Sequence, residues 1–290
     1  MKKTPIAVCA VIAALSIYIS AYASSDDDFN WQNASREMDA LPFSPRFIDS
    51  VTLAHIGGPV PAGLRSAKPG GFINGETLVF EVVWGPFKAG YLILEARNMR
   101  GRGLIRLGAK AMTSNAISAI YKLRDYSLSW VDPEGMYPHF FEQHIREGSK
   151  YRADSYTVYD PKNAKLFHRR RTDVQEHDAP LFTHDFLSLI YYARTQPLNP
   201  GDRFETQMFA RPKTDAVKFR VHDKREKVQV GAGTFNCVIV EPAFTGDTKA
   251  FNRKSKIEIW VTDDERKIPV MVRSKAKFGS VSARLVHIAN

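Results

Sequence analysis

The stretch from residue 257 to residue 286 constrains the fold more than any other. It begins Ile257, Glu258, Ile259, Trp260, Val261, Thr262 and passes a charged run, Asp263, Asp264, Glu265, Arg266 and Lys267. It resumes with Ile268, Pro269, Val270, Met271 and Val272, breaks again over 275–279, and continues with Val281, Ala283 and Leu285 between polar neighbours. Apolar residues at every second position mark a strand with one buried face, because successive side chains leave a strand on opposite sides. Both breaks have the length of hairpin loops. The stretch therefore predicts a three-stranded antiparallel meander, with Ile268, Val270 and Val272 on one face of its middle strand. An oily face of this kind needs a cover, and whether that cover is protein or ligand is the functional question.

The same pattern runs back through the chain. Leu78, Phe80, Val82 and Trp84 alternate, a turn follows at 85–90, and Leu92, Leu94 and Ala96 begin a return strand. A turn at 100–103 leads to a strand over 104–112, and the Ala/Ile-rich run 114–121 predicts one or two helical turns. Tyr126, Leu128 and Trp130 alternate before the turn at 132–135, and further strands are expected at 137–146, 151–159 and 164–171. Asp185 is placed to cap a helix, with Phe186, Leu187, Leu189, Ile190 and Tyr191 at helical spacing before Pro197. Strands are then expected at 203–210, 217–222, 226–230 and 234–241. This is a mainly β pattern: a large curved antiparallel sheet or incomplete β-barrel of about a dozen strands with one or two short helices.

The N-terminus bears on location. Lys2 and Lys3 precede an apolar run at 6–19, then Ala21, Tyr22 and Ala23, and an acidic start at 24–28. That is the layout of a cleaved secretory signal peptide over 1–23, with an uncleaved anchor as the alternative. Residues 24–71 are rich in Pro and Gly and read as an extended arm. A short helix is expected around 34–41, and Phe43, Phe47, Ile48 and Val51 are candidates to dock on the β domain at 72–290. The formal net charge of +10 favours anionic partners. Export to a periplasm argues against nucleic acid and leaves lipid headgroups, peripheral contact with envelope membranes, or anionic glycans.

The sequence offers no motif for catalysis, metal or cofactor. None of the eight histidines falls in H-E-x-x-H, and no Cys/His spacing suits zinc. There is no G-x-S-x-G elbow and no phosphate-binding glycine loop. The adjacent His184 and Asp185 form a dyad without a third group. Asp263, Asp264 and Glu265 read as a solvated turn more readily than as a calcium site. Cys237 sits in a strand-like run and reads as a buried, inert thiol. His168, Arg169, Arg170 and Arg171 form the sharpest basic cluster. Arg124, Arg152, Arg169 and Arg171 are the candidates to meet anionic groups. Trp84, Tyr121, Tyr126, Trp130, Phe141 and Trp260 are the candidates to line a pocket, on the reasoning that a barrel of this size can exceed what its own side chains fill.

Several motifs together resemble a known family. Gly75-Glu76 with 78–84 and Ala89-Gly90, then Tyr121-Lys122-Leu123-Arg124-Asp125, are similar to the opening of the DUF3108 family of exported Gram-negative proteins. The helix from Asp185 to Arg194 resembles its D-x-L-S-x-x-Y-x-x-R segment, and Ala232-Gly233-Thr234-Phe235 its A-G-T-F strand. The closing meander resembles its W-x-T-D-D-x-R-x-I-P-V and F-G-S segments. His184 departs from the pattern, in which a residue such as Gln precedes the Asp. The resemblance implies no catalytic residues. The strand pattern is similar to LolA/LolB-like incomplete barrels, in which a curved sheet wraps helices around a greasy cavity. A non-enzymatic carrier for a lipid or other amphiphile is therefore the first functional expectation. A carbohydrate- or peptidoglycan-binding module and a structural envelope protein without ligand are the alternatives.

Overall fold

The computed structural model describes residues 30–39, 74–99, 103–210, 213–245, 256–276 and 279–290. The expected signal peptide and the docking residues Phe43, Phe47, Ile48 and Val51 lie outside them. Fourteen strands form one open antiparallel sheet. In chain order they are β1 (Thr77–Trp84), β2 (Phe87–Met99), β3 (Leu104–Thr113), β4 (Arg124–Val131), β5 (Pro138–Glu147), β6 (Tyr151–Asp160), β7 (Lys165–Arg170) and β8 (Asp173–Asp178). They continue with β9 (Arg203–Phe209), β10 (Thr214–Val230), β11 (Gly233–Phe244), β12 (Ile257–Thr262), β13 (Pro269–Ala276) and β14 (Gly279–Ala289). Three short helices accompany them among the described residues: α1 (Trp31–Asp39), α2 (Asn115–Ile120) and α3 (Phe186–Thr195).

The sheet order runs from β8 down to β1, then to β14 and down to β9. Consecutive strands are thus neighbours everywhere except between β8 and β9, and one further pair joins strands far apart in the chain. The first and last strands pair, Thr77 opposite Ala289 and Trp84 opposite Val281. The gap falls between β8 and β9, where the chain leaves the sheet to form α3. His184 then bonds to the free edge of β9, its N–H donating to Gln207 O at 2.8 Å and its carbonyl accepting from Phe209 N at 2.9 Å. The helix occupies the inner side at the point where a barrel would have closed.

The main core lies between the inner face of the sheet and α3, and includes Leu78, Phe80, Leu107, Leu187, Tyr191, Val261 and Leu285. Gly90 permits one close approach in this frame. A Cβ there would stand 2.0 Å from the Met112 carbonyl oxygen, so no side chain fits between β2 and the end of β3. The outer face carries smaller clusters. Val79, Tyr91, Ile93, Met112, Tyr126 and Leu128 form one, with Trp31 of α1 packed against it. Lys110, buried on that face, donates to Ser35 Oγ of α1 at 2.8 Å. Part of the arm therefore docks on the domain through α1.

Three local expectations need correction. The strands expected at 217–222 and 226–230 are one strand, β10, which shifts register between Val221 and Arg225. The bulge absorbs the polar residues 222–224 that looked like a turn. Strand β8 carries a single large apolar residue, Val174, and gives no periodic signal. In β13 strict alternation fails, because the register shifts between Trp260 and Val261. Val270 consequently packs beside Trp260, whereas Val272 faces the inner side.

Candidate functional site

Helix α3 is amphipathic in an unusual sense, since it is buried nearly all round. Asp185 caps it, accepting from Leu187 N at 2.7 Å and Ser188 N at 2.9 Å, and Ser188 Oγ returns a capping-box contact to Asp185 N. Ser129 Oγ of β4 donates to the second carboxylate oxygen at 2.6 Å. Burial drives the Asp185 pKa up to about 6 against these hydrogen bonds. His184 rests on Tyr192, ring centroids 4.8 Å apart, with its Nδ1 3.2 Å from Ser188 Oγ. His184, Asp185 and Ser188 are all sealed from solvent, so they serve as a joint between helix and sheet.

The other end of the helix is held from afar. Arg194 makes a two-pronged pair with Glu76, Nη1 to Oε1 at 2.6 Å and Nη2 to Oε2 at 2.8 Å. Its Nη2 also donates to the Arg266 carbonyl at 3.0 Å. Glu76 is fully buried and Arg194 nearly so. Such a pair persists in a low-dielectric interior only with this geometry, because the desolvation cost of each ion is several kcal/mol.

One face of α3 packs toward β3 and β4. The opposite face, Phe186, Leu189, Ile190 and Ala193 at helical spacing, lines a hollow of about 150 Å³. The far walls come from Phe219, Val240, Pro242, Ile257, Ile259, Val261, Val272 and Ala283. The near wall is Phe80, Leu92 and Leu94. Among the described residues two polar side chains border it, Ser274 and the already paired Arg194. A hollow with so few polar partners holds no water firmly and favours an apolar guest.

The structure distributes the expected pocket aromatics elsewhere, and none of the six lines this hollow. Trp84 and Phe141 pack against the main core from its margins, Phe141 meeting Phe186 edge-on at 5.4 Å. Tyr126 lies in the outer cluster, and alternation puts Trp130 on the same face. Tyr121 is exposed at the end of α2, its hydroxyl 2.9 Å from Glu147 Oε2. Trp260 is buried but faces outward, among Val228, Cys237, Ile239 and Val270. Its Nε1 donates to Glu226 at 2.8 Å, and the Arg273 guanidinium covers its ring at 4.6 Å. The residues that do line the hollow are the aliphatic partners of the alternating pattern itself, Ile257, Ile259 and Val261, one position away from Trp260.

The candidate arginines are also remote from it. Arg124 is spent on the α2–β4 junction, with Nη1 donating to Thr113 O at 3.1 Å and Leu123 O at 2.7 Å. Arg152 donates to Tyr151 O at 2.8 Å. Arg169 bonds the carbonyl of Arg171, which sits at φ 57° in the β7–β8 turn. All four belong to the β4–β8 half of the sheet. Asp264 works as a turn-former, accepting from Thr262 Oγ1, Arg266 N and Lys267 N. Burial pushes the Cys237 thiol up to about 11, which keeps it protonated.

An open antiparallel sheet wrapped on one helix, with a dry hollow between them, defines a β-barrel-like fold. The chain belongs to the family described as "Protein of unknown function (DUF3108)", whose model matches residues 79–286. No curated protein is recognisably similar in sequence. Among solved structures, a β-barrel-like protein of the domain of unknown function DUF1849 from Brucella abortus shares the fold, with TM-score 0.53 and 11% identity over 75% of this chain and 98% of that one. A protein described as exported, with a YmcC-like fold, from Bacteroides fragilis aligns at TM-score 0.33 and 12% identity, over 78% of this chain and 100% of its own.

Proposed function

We propose that this chain is an exported envelope protein that binds the apolar end of a lipid or other amphiphile in the hollow beside α3. The observation that carries the reading is the apolar lining: one helix face and eight strands converge on the hollow, bordered among the described residues by two polar side chains, one of them neutralised. The signal-like sequence over 1–23 supports export to the periplasm. Size limits the guest. At about 150 Å³ the hollow matches an engineered apolar cavity that takes up benzene. Burial is worth about 0.8 kcal/mol per methylene, so six carbons supply about 5 kcal/mol, a Kd of about 0.2 mM before association costs. The hollow therefore suits the end of a chain rather than a whole acyl group.

A structural role without ligand draws support from the same figure, since ligand pockets usually measure about 300–1,000 Å³. Sugar stacking draws less, because among the described residues Tyr121 is the sole aromatic in the exposed class. Native mass spectrometry of protein purified from its own envelope, with titration by octan-1-ol, tests the proposal. Co-purified lipid and saturable alcohol binding are expected. Clean apo protein that also fails to bind the alcohol sinks the proposal and leaves the structural role. Ala193→Leu places extra carbons in the hollow, and loss of alcohol binding in that variant is the expected control.

A further inference from the structure

Neighbouring strands run in opposite directions, so α2, the β5–β6 turn and the β7–β8 turn all lie at one end of the sheet. Cations gather there. Lys122 follows α2, Lys150 and Arg152 stand at the β5–β6 turn and Arg171 in the β7–β8 turn, and all four are exposed. Backbone and side-chain contacts join these turns into one rim. Gly148 N donates to Lys122 O at 2.7 Å, and Arg170 Nη2, next to Arg171, donates to the Tyr151 hydroxyl at 3.1 Å. The exposed carboxylate of the rim, Asp173, accepts from Gln175. Other cations at this end of the sheet are matched, Lys88 by Glu81, Arg146 by Asp154 and Lys256 by Glu258.

The same rim carries apolar side chains in water. Ile120 is 48% exposed, Tyr121 36% and Val174 55%, three of the four large apolar residues exposed among the described residues. Tyr121 is held in place through its hydroxyl by Glu147. We infer that this rim docks on an anionic lipid bilayer, with Ile120 and Tyr121 entering the headgroup layer and Lys122, Lys150, Arg152 and Arg171 meeting lipid phosphates. Apolar tips gain by burial at the boundary between headgroups and acyl chains, and cations beside them gain from the negative surface potential. A soluble acidic glycan would match the cations and leave Ile120 and Val174 uncovered. Phe244 ends β11 and Ile257 begins β12, so one end of the hollow lies at this end of the sheet. Docking itself does not depend on a guest there.

Co-sedimentation tests the inference. Protein purified in soluble form from its own envelope is mixed with phosphatidylcholine vesicles, with or without one lipid in three replaced by phosphatidylglycerol. Binding to the anionic vesicles is expected to be at least about tenfold tighter, and to weaken steeply toward about 0.5 M salt. Lys122→Gln with Lys150→Gln is expected to weaken it about 25-fold, at about fivefold per cation. Ile120→Ser is expected to weaken it about fivefold and to keep the salt dependence. Lys162→Gln with Lys224→Gln removes the same charge from exposed positions away from the rim and is expected to bind as wild type. Equal loss in the two double variants shows attraction to net charge alone and overturns the inference. Absence of binding by folded wild type, or equal binding to both vesicles, also overturns it. Tighter binding to soluble dextran sulfate than to vesicles, unaffected by Ile120→Ser, points to a glycan instead and overturns it too.

Discussion

The two ends of α3 hold buried charge in different ways. At the N-terminal end Asp185 is satisfied locally, by two backbone N–H groups of its own first turn and one hydroxyl from β4. Among the described residues no cation meets it, and burial raises its pKa to about 6. At the C-terminal end Arg194 meets a full counter-charge, Glu76, that arrives from just before β1. The first end is a capped helix leaning on a strand. The second ties the helix to the opening of the domain, and its Arg194 also borders the hollow.

Removing Glu76 should break this contrast most sharply. Glu76→Gln leaves Arg194 buried without its counter-charge and is expected to cost about 3–5 kcal/mol in urea unfolding. The double variant Glu76→Leu with Arg194→Met should recover most of that loss, since an apolar pair pays no desolvation. A single-variant loss below about 1 kcal/mol would show that water reaches the pair.

Asp185 supplies the next effect, as a pH dependence. Its folded pKa lies above the unfolded value, so its contribution is complete below about pH 4 and is lost as pH rises through 6. A two-unit shift corresponds to about 3 kcal/mol. Asp185→Asn keeps the cap and removes the titration. The stability of wild type relative to this variant should therefore fall between pH 4 and 6 and stay level above. A flat difference across that range would show that the carboxylate is already ionised at the lower pH. Ser129→Ala is expected to cost about 1–2 kcal/mol at neutral pH, by removing one hydrogen bond to the charged cap. Octan-1-ol affinity should drop in the Glu76 variant and hold in the Ser129 variant, because Arg194, the partner of Glu76, lines the hollow and neither Ser129 nor Asp185 does.

Much of this was legible in the sequence. The capped helix, the closing meander and the strand-rich sheet follow from alternation and from the residues Asp185 and Pro197. The Glu76–Arg194 pair was not, because nothing local links residues so far apart in the chain. Trp260 is the instructive case. Its position out of phase with Ile257, Ile259 and Val261 already places it on the opposite face, yet its size and type suggested the inner one. The hollow is lined by the ordinary aliphatic members of the pattern, which carry no signal beyond their period. The candidate arginines lie away from the hollow, and Arg124 and Arg169 donate to neighbouring carbonyls.

The pairing of β1 with β14 joins the sheet's first and last strands in chain order. Every other neighbouring pair joins strands consecutive in the chain, so β1 has no partner on that edge until β14 is present. Contacts of such high sequence separation are slow to form. A chain ending after β13 exposes two further edges, β1 and β13, beside those of β8 and β9, and is expected to aggregate or dimerise by edge pairing, which size-exclusion chromatography reads directly.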